Sequence, residues 1–424
     1  MHSFKKYILT NGLRVVLVPQ PQSLATTVLV LVEAGSKYEK KEINGLSHFL
    51  EHLCFKGTKK RPSALAIASE LESLGAETNA FTGQEVTGYY AKVAGEHLDA
   101  VLDIVSDLYL NPVFNEVELE KEKGVIIEEI NMYEDNPMKK VGDFFTELLY
   151  GDQPAGWDIA GRKEVIRALE REEIIKYRSQ HYVAKATTVI VAGAFDEKKT
   201  LLKIKELFKS IPVAKKFSKP KTLDEQEKPA ILVRYKKSDQ AHIRLGFRAF
   251  SLFDKRRYAL EVLEDILGGG MSSRLFQRVR DQLGAAYYVK AGSSLATDHG
   301  FFAIGAGLDN KRVLEVISAI LEELDRIRKM AVGQAELKKS KNHVIGQFLM
   351  GLETSDELAS FYGQQEIFYK KMITPKEVVQ KIEAVTANEV LKLAKDIIKN
   401  EHLNLALIGP FKDKKEFERI LKLR

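Results

Sequence analysis

The stretch Val189-Ile190-Val191-Ala192-Gly193-Ala194-Phe195 is followed 216 residues later by a similar one, Leu405-Ala406-Leu407-Ile408-Gly409-Pro410-Phe411. Each is a short apolar run typical of a buried strand, and each ends in a Gly-X-Phe turn. A helix-like segment precedes both, beginning Glu173-Ile174-Ile175-Lys176 in the first case and Glu389-Val390-Leu391-Lys392 in the second. This recurrence predicts an old duplication that gave two similar domains of about 200 residues each.

The boundary between the two domains is predicted from a stretch without periodicity. Residues 211–229 combine several prolines with a run of charged residues, which is typical of a linker. We therefore expect a first domain at residues 1–212, a linker at residues 213–228 and a second domain at residues 229–424.

The periodicity of the first half predicts an α+β fold in which each domain has a mostly antiparallel sheet packed with helices. Strands and helices are mixed without the strict alternation of a βαβ protein. The strand-like segments are residues 7–18, with Asn11-Gly12 suited to a type I′ hairpin turn, 26–32 and 87–93; the helical ones are residues 45–55, 63–74 and 96–110.

Composition places the chain among ordinary globular proteins. Of its 424 residues, 45% are apolar and 29% are charged, which excludes a disordered chain, a collagen and a disulfide scaffold. The net charge of +6 comes from lysines interleaved with glutamates and not from one basic patch. We therefore expect no nucleic acid among its partners.

The sequence favours a cytoplasmic location. The single cysteine, Cys54, cannot form an intrachain disulfide, which suits a reducing compartment. The N-terminal residues resemble neither a signal peptide nor a transit peptide, and no apolar run near the N-terminus approaches the ~18 residues of a membrane span. We expect no association with a membrane.

The segment His48-Phe49-Leu50-Glu51-His52 carries the strongest chemical signal. Residues four apart on a helix share a face, so both imidazoles can reach one metal ion, and Glu51 lies beside them. Two neutral imidazoles are common zinc ligands, and a nearby carboxylate can take a proton from a water molecule that the metal activates. The alternative is that the two histidines lie by chance beside an unrelated glutamate.

A third ligand is expected from the glutamate-rich helix at residues 116–134. Glu122 and Glu129 are seven residues apart and share a face, whereas Glu128 is rotated by about 100° from Glu129. One of the first pair could bind the metal while the other supports a ligand. The spacing alone does not decide between Glu128 and Glu129 as ligand.

At this point the chain resembles the inverzincin zinc metallopeptidases, the family of pitrilysin, insulin-degrading enzyme and the mitochondrial processing peptidase, in its short two-domain form. The resemblance implies that Glu129 is the third ligand of one Zn²⁺ per chain and that Glu122 supports the site. Besides the two motifs, it rests on Gly45-Leu46-Ser47, Phe55-Lys56-Gly57-Thr58 and Asn79-Ala80-Phe81-Thr82.

The second half has no zinc motif, but it contains a glycine-rich stretch, Gly268-Gly269-Gly270, and an Arg280-x6-Tyr287 pair. The pair resembles one that faces the zinc in relatives. The resemblance implies that Arg280 and Tyr287 help to hold the substrate carbonyl, where they could stabilise an oxyanion. Without the resemblance, both would be ordinary surface and core residues.

Together these features predict an endopeptidase that cleaves peptides or unfolded protein segments inside a closed chamber. Glu51 is the expected general base. The substrate is expected to pair as an extended strand, by β-augmentation. The residues expected to bind it are Asn79, Ala80, Phe81 and Thr82.

Because full-length relatives have four such domains, we expect two copies of this chain to form a homodimer whose sites combine the zinc ligands of one copy with Arg280 and Tyr287 of the other. The alternatives are a non-catalytic scaffold and a peptide-binding subunit that needs a catalytic partner. The intact Glu51 and complete ligand set disfavour both.

Overall fold

A computed structural model describes residues 4–369 and 371–423. The chain divides into two compact units, each assembled from three segments of chain. Unit 1 comprises Met1–Asn131, Asp158–Pro220 and Leu349–Lys376, and unit 2 comprises Met132–Trp157, Lys221–Phe348 and Glu377–Arg424.

The strands are, in chain order, β1 (Lys5–Ile8), β2 (Arg14–Pro19), β3 (Ala25–Val32), β4 (Glu77–Thr82), β5 (Thr87–Ala94), β6 (Thr187–Gly193), β7 (Ala230–Tyr235), β8 (Gln240–Arg248), β9 (Ala286–Leu295), β10 (Gly300–Asp309) and β11 (Leu403–Gly409). The α-helices are α1 (Leu46–Cys54), α2 (Ala64–Ser73), α3 (Leu98–Leu110), α4 (Glu116–Asp135), α5 (Pro137–Tyr150), α6 (Lys163–Ala168), α7 (Arg171–His181), α8 (Glu197–Leu207), α9 (Arg257–Gly268), α10 (Val313–Lys329), α11 (Gln334–Met350), α12 (Ser355–Phe368), α13 (Pro375–Glu383), α14 (Ala387–Ile397) and α15 (Lys415–Ile420).

Each unit contains one mixed, mostly antiparallel sheet, as the sequence predicts. The order is β1-β2-β6-β3-β5-β4 in unit 1 and β7-β11-β8-β10-β9 in unit 2. The single parallel pair is equivalent in the two sheets: Arg14 pairs with Thr188, and Ala230 pairs with Asn404, each residue 216 positions after its counterpart. The α+β fold with two similar domains is confirmed, and the matching register reflects the duplication.

The repeated apolar stretches are the central strands of these sheets. All residues of β6 and of β11 are buried, because both faces of each strand are covered. A strand that is buried on both faces reads as a continuous apolar run and not as an alternating one. This is why the repeat is so clear in the sequence.

The predicted hairpin of β1 and β2 is present, with antiparallel pairing from Lys5–Leu17 to Ile8–Arg14. Its turn is not the predicted type I′. The Gly12 amide donates to the Leu9 carbonyl at 2.9 Å, and Gly12 alone has a positive φ, of 90°. A type I′ turn needs positive φ at both central residues, which Asn11 does not have. The loop is longer than two residues, and within it the side-chain oxygen of Asn11 accepts a hydrogen bond from the Leu13 amide at 3.1 Å.

Two helices, α5 and α12, each belong to the compact unit formed mainly by the other half of the chain. α5 follows α4 in the first half of the chain but lies in unit 2, where Val141, Phe145 and Leu149 join a buried cluster with Phe301 of the sheet. Its counterpart α12, which begins 218 residues later, lies in unit 1. There α12 packs closely on β3, because a Cβ atom at Gly363 would lie only 2.9 Å from the side chain of Leu31.

The exchange of α5 and α12 means that each compact unit includes a helix from the other half of the chain. The predicted domains at residues 1–212 and 229–424, with their linker at 213–228, follow the sequence repeat. They remain a prediction about the duplicated segments.

Among the described residues, no helix combines the length and apolar character needed to cross a membrane.

Candidate metal centre

Helix α1 is anchored so that its histidines face a second helix. Leu46, Phe49, Leu50 and Leu53 are buried in the core of unit 1 and fix the rotation of the helix. The buried carboxylate of Glu39 accepts hydrogen bonds from the amides of Gly45, at 2.8 Å, and Ser47, at 2.6 Å, at the helix start.

His48, His52 and Glu129 come together between α1 and α4. Oε2 of Glu129 lies 3.6 Å from Nε2 of His48 and 3.5 Å from Nε2 of His52. These three side chains form the only group of at least three potential ligands found among the described residues, with ligand atoms within 4.8 Å of one another. All three are partly exposed, so an ion could enter the site from solvent.

The distances suit a shared tetrahedral ion. Zinc binds imidazole nitrogen and carboxylate oxygen at about 2.0–2.2 Å, and a tetrahedral angle then separates two ligand atoms by about 3.4 Å. The two observed N–O distances lie close to this value and are long for hydrogen bonds. The donor set fits Zn²⁺ in type, number and spacing.

Glu129, and not Glu128, faces the imidazoles. The carboxylate of Glu128 accepts a hydrogen bond from the side chain of Asn131 at 3.2 Å, on the exposed side of α4. The one-residue rotation therefore separates the two glutamates as the helical geometry requires.

Glu122 supports His52 from the other side of the ring. Nδ1 of His52 donates to Oε1 of Glu122 at 2.8 Å, and Nζ of Lys56 donates to Oε2 of the same carboxylate at 2.6 Å. Burial alone would raise the pKa of Glu122, but these two donors outweigh it and lower that pKa. With Nδ1 engaged by Glu122, Nε2 is the ring nitrogen that faces Glu129 and would be available to a metal.

The two imidazoles have opposite pKa shifts. Burial and the neighbouring His52 lower the pKa of His48, which favours the neutral, metal-binding form. Burial also acts to lower the pKa of His52, but the hydrogen bond and charge of Glu122, with Glu129 and Glu51, raise it overall. A divalent ion would compete with that proton at Nε2 of His52.

Glu51 lies beside the imidazoles and contacts the sheet. Its Oε2 accepts a hydrogen bond from Oγ1 of Thr82 at 2.5 Å. Burial raises the pKa of Glu51, and the hydrogen bond from Thr82 opposes that rise in part. The carboxylate is thus oriented by the strand that forms the end of the sheet.

The four residues predicted to bind substrate lie on this strand, β4, which pairs only with β5 in the sheet order. Ala80 and Thr82 face the α1 side, where Ala80 packs against the core and Thr82 contacts Glu51. Phe81 lies on the opposite face of the sheet, where its ring packs over Gly88 of β5 in the space that a side chain there would fill. Asn79 is exposed, and its side chain accepts from the Ala80 amide at 2.9 Å.

Arg280 and Tyr287 belong to unit 2. Arg280 lies in a π-helical segment, Phe276–Gln282, with its guanidinium 4.9 Å from the ring of Phe276. π-helical turns are rare and frequently occur at functional sites. Tyr287 is near the start of β9 and is 65% exposed, so its hydroxyl is accessible to a ligand.

The sequence interpretation missed two contacts at this site. Lys56 lies one turn beyond His52, and that spacing could have indicated that both side chains reach the same partner, Glu122. Thr82 was predicted to bind substrate, but its contact with Glu51 depends on how α1 packs on β4. No pattern within either segment indicates that packing.

The duplicated α+β units and a His-x-x-Glu-His helix completed by a distant glutamate define the class of zinc-dependent metallopeptidases with the inverted motif. Residues 14–163 match the family description "Insulinase (Peptidase family M16)", and residues 168–344 match "Peptidase M16 inactive domain". The chain belongs to peptidase family M16.

Curated relatives share the whole length of the chain. An uncharacterized zinc protease of Bacillus subtilis, YmxG, is 35% identical over 96% of this chain and 98% of its own. One from Streptomyces coelicolor is 33% identical over 97% of this chain and 90% of its own. Among solved structures, a protease from Helicobacter pylori has a TM-score of 0.89 and 25% identity, covering 97% of this chain and 100% of its own.

Proposed function

We propose that this protein is a zinc-dependent endopeptidase that hydrolyses peptides or unfolded protein segments. The observation that carries the proposal is the approach of His48, His52 and Glu129 at distances that suit one tetrahedral ion, with Glu51 beside them. The zinc protease names of the full-length relatives support the same metal and reaction class.

In this proposal His48, His52 and Glu129 hold one Zn²⁺, and Glu122 supports His52. Bound zinc supplies Lewis acidity, which polarises a carbonyl and lowers the pKa of a water molecule to about 7. Glu51 accepts a proton as the water oxygen bonds to the scissile carbonyl carbon. When the C–N bond breaks, Glu51 returns that proton to the leaving amine.

The substrate is proposed to bind as an extended strand along β4. The exposed backbone edge of a terminal strand can pair with a peptide main chain whatever its side chains are. Thr82 would then link this strand to the general base, through its hydrogen bond to Glu51. Such a site accepts varied sequences in unfolded segments.

Arg280 and Tyr287 are proposed to donate hydrogen bonds to the developing oxyanion. We further propose a homodimer with a closed chamber, in which each site combines the zinc ligands of one copy with Arg280 and Tyr287 of the other. The presence of both sets in one chain supports this arrangement, because a two-fold axis would generate two equal sites.

The decisive experiment measures metal content and cleavage of an unstructured fluorogenic peptide, for the wild-type protein and for Glu51→Gln. We expect about one zinc per chain in both proteins, and a loss of cleavage of at least 100-fold in the variant. Glu72→Gln, an exposed change on α2, is the matched control and should cleave like wild type.

Two results would contradict the proposal. If the protein binds zinc but cleaves nothing across a varied peptide library, the scaffold or peptide-binding alternative replaces it. If it cleaves equally well with Glu51→Gln, another residue is the base.

A further inference from the structure

We propose that a cavity in unit 2, between the start of α9 and helices α13 and α14, binds a small amphiphilic anion: a carboxylate or similar group on an apolar body. The cavity has a volume of about 450 Å³. This is within the range typical of small-molecule sites. It lies apart in sequence from every residue of the proposed metal centre, and the inference does not depend on the proposed function.

The floor of the cavity is apolar. Tyr258 and Ala259 of α9 meet Val385 and Leu393, and each of these four side chains is less than 10% exposed. The ring of Tyr258 lies 5.6 Å from the Nζ of Lys381 at the rim. An apolar group placed here would be removed from water at little cost to hydrogen bonding.

The rim of the cavity is cationic. Lys255, Lys381 and Lys392 are exposed, and none of the three forms an ion pair or hydrogen bond with another described residue. Three uncompensated ammonium groups around one concave surface favour an anion.

Two other charged groups line the cavity, Glu389 and Arg256, and the positive charge still exceeds the negative. The carboxylate of Glu389 accepts from the amide and the hydroxyl of Thr386, both at 2.8 Å, where it caps α14. Arg256 pairs with Asp254, at 2.7 Å, and with Asp396, at 2.5 Å. The partners of Glu389 are neutral, so its carboxylate keeps its charge, whereas Arg256 is neutralised by its ion pairs. Three lysines against one glutamate leave a positive net charge around the cavity.

The duplication shows why this space is open in unit 2. In unit 1, thirteen residues connect β3 to α1, and in unit 2 only eight connect β8 to α9. The longer connection forms a short 3₁₀ turn, Lys41–Ile43, which contacts α6, and Ile43 packs against the core there. The shorter connection leaves the equivalent place without such a turn.

One residue that differs between the two repeats makes the space in unit 2 larger. α7 and α14 each have eleven residues and start 216 positions apart, which aligns Tyr177 with Leu393. In unit 1 the Tyr177 hydroxyl lies 2.8 Å from Oγ of Ser47 and fills the space beside α1. Leu393 is shorter and has no hydroxyl, so the corresponding space beside α9 forms part of the cavity.

The test is a binding measurement with the fluorescent anion 8-anilinonaphthalene-1-sulfonate, followed by competition with three small molecules. We expect octanoate, which has both a charge and a chain, to displace the probe. Octanol and acetate, which each lack one of these features, should be at least ten times weaker. Equal competition by octanol, or no displacement by octanoate, would overturn the proposed ligand class.

Two variants locate the site. The triple variant Lys255→Gln, Lys381→Gln, Lys392→Gln should weaken octanoate binding at least tenfold, and Leu393→Tyr should abolish it by restoring the side chain of unit 1. The matched control changes three exposed lysines elsewhere, Lys198, Lys205 and Lys338, to Gln and should bind like wild type.

Octanoate binding that is unchanged in the lysine triple variant would refute the site, whether or not Leu393→Tyr folds. A thermal unfolding measurement on each variant checks that its fold is retained. Peptide cleavage is not a readout of this experiment, so its outcome is separate from that of the proposed peptidase.

Discussion

Thr82 Oγ1 donates a 2.5 Å hydrogen bond to Oε2 of Glu51. One partner lies on β4, the strand along which substrate is proposed to bind, and the other is the proposed general base on α1. The bond fixes one carboxylate oxygen, and the other has no hydrogen-bond partner among the described residues. It is therefore the contact through which the strand can orient the base.

We predict that Thr82→Val lowers kcat by about 10- to 100-fold and leaves KM within a factor of two, because a hydrogen bond to a charged group contributes about 1.5–3 kcal/mol. Steady-state kinetics with a fluorogenic peptide measure both constants. Thr82→Ser keeps the hydroxyl and should restore most of kcat.

The matched control for this prediction is Thr78→Val on the same strand, where the hydroxyl donates to the Tyr90 carbonyl at 3.0 Å and does not reach Glu51. A kcat in Thr82→Val equal to that of the control would show that Thr82 does not orient the base.

A second prediction concerns metal removal. After chelation, added zinc should raise the unfolding temperature of the wild-type protein, because ligand at 100 times its Kd stabilises the folded state by about 2.7 kcal/mol. Glu129→Gln should lose most of this shift, and Glu128→Gln should keep it. Differential scanning calorimetry with a zinc titration measures the shift. An equal loss in both variants would contradict the choice of Glu129 as ligand.

A third prediction concerns His181 at the end of α7. Burial lowers its pKa to about 4 from an ordinary value of 6.5, and its Nδ1 is buried with no partner among the described residues. As the pH falls, the unfolded chain therefore binds a proton at His181 before the folded protein does. The contribution of His181 to stability is complete above about pH 6.5 and is lost as the pH falls towards 4, by about 3 kcal/mol at most.

Urea unfolding at pH 7.5 and at pH 4.5 measures this effect. His181→Gln should reduce the difference in the free energy of unfolding between the two pH values. His97→Gln is the control, because the side chain of His97 is 39% exposed, and it should leave that difference unchanged. A pH dependence that is the same in all three proteins would assign the acid sensitivity to other groups.

The fourth prediction tests the proposed homodimer. Arg280→Ala and His48→Ala should each be inactive, and a mixture allowed to exchange subunits should recover part of the activity, because one of the two sites in a mixed dimer is intact. Subunits with different tags allow the mixed dimers to be purified and assayed. Verified mixed dimers without activity would remove the assignment of Arg280 to the other chain's site.

Local patterns were sufficient for the parts of this protein that depend on neighbouring residues. The i, i+4 spacing of His48 and His52 puts both on one helix face wherever that helix lies. The seven-residue spacing of Glu122 and Glu129 does the same for α4, and the family resemblance predicts Glu129 as the metal ligand. The apolar runs of β6 and β11 showed the duplication because both strands are fully buried.

Tertiary structure decided everything that depends on which segments pack together. The contact of Thr82 with Glu51, the bridge from Lys56 through Glu122 to His52, and the exchange of α5 and α12 between the units join residues far apart in sequence. Hydrophobic burial is not directional, so the pattern of an amphipathic helix states that one face is covered but not by which sheet. The same limit applies to the cavity beside Leu393, which exists because a connection five residues shorter than its counterpart leaves space that only the assembled fold reveals.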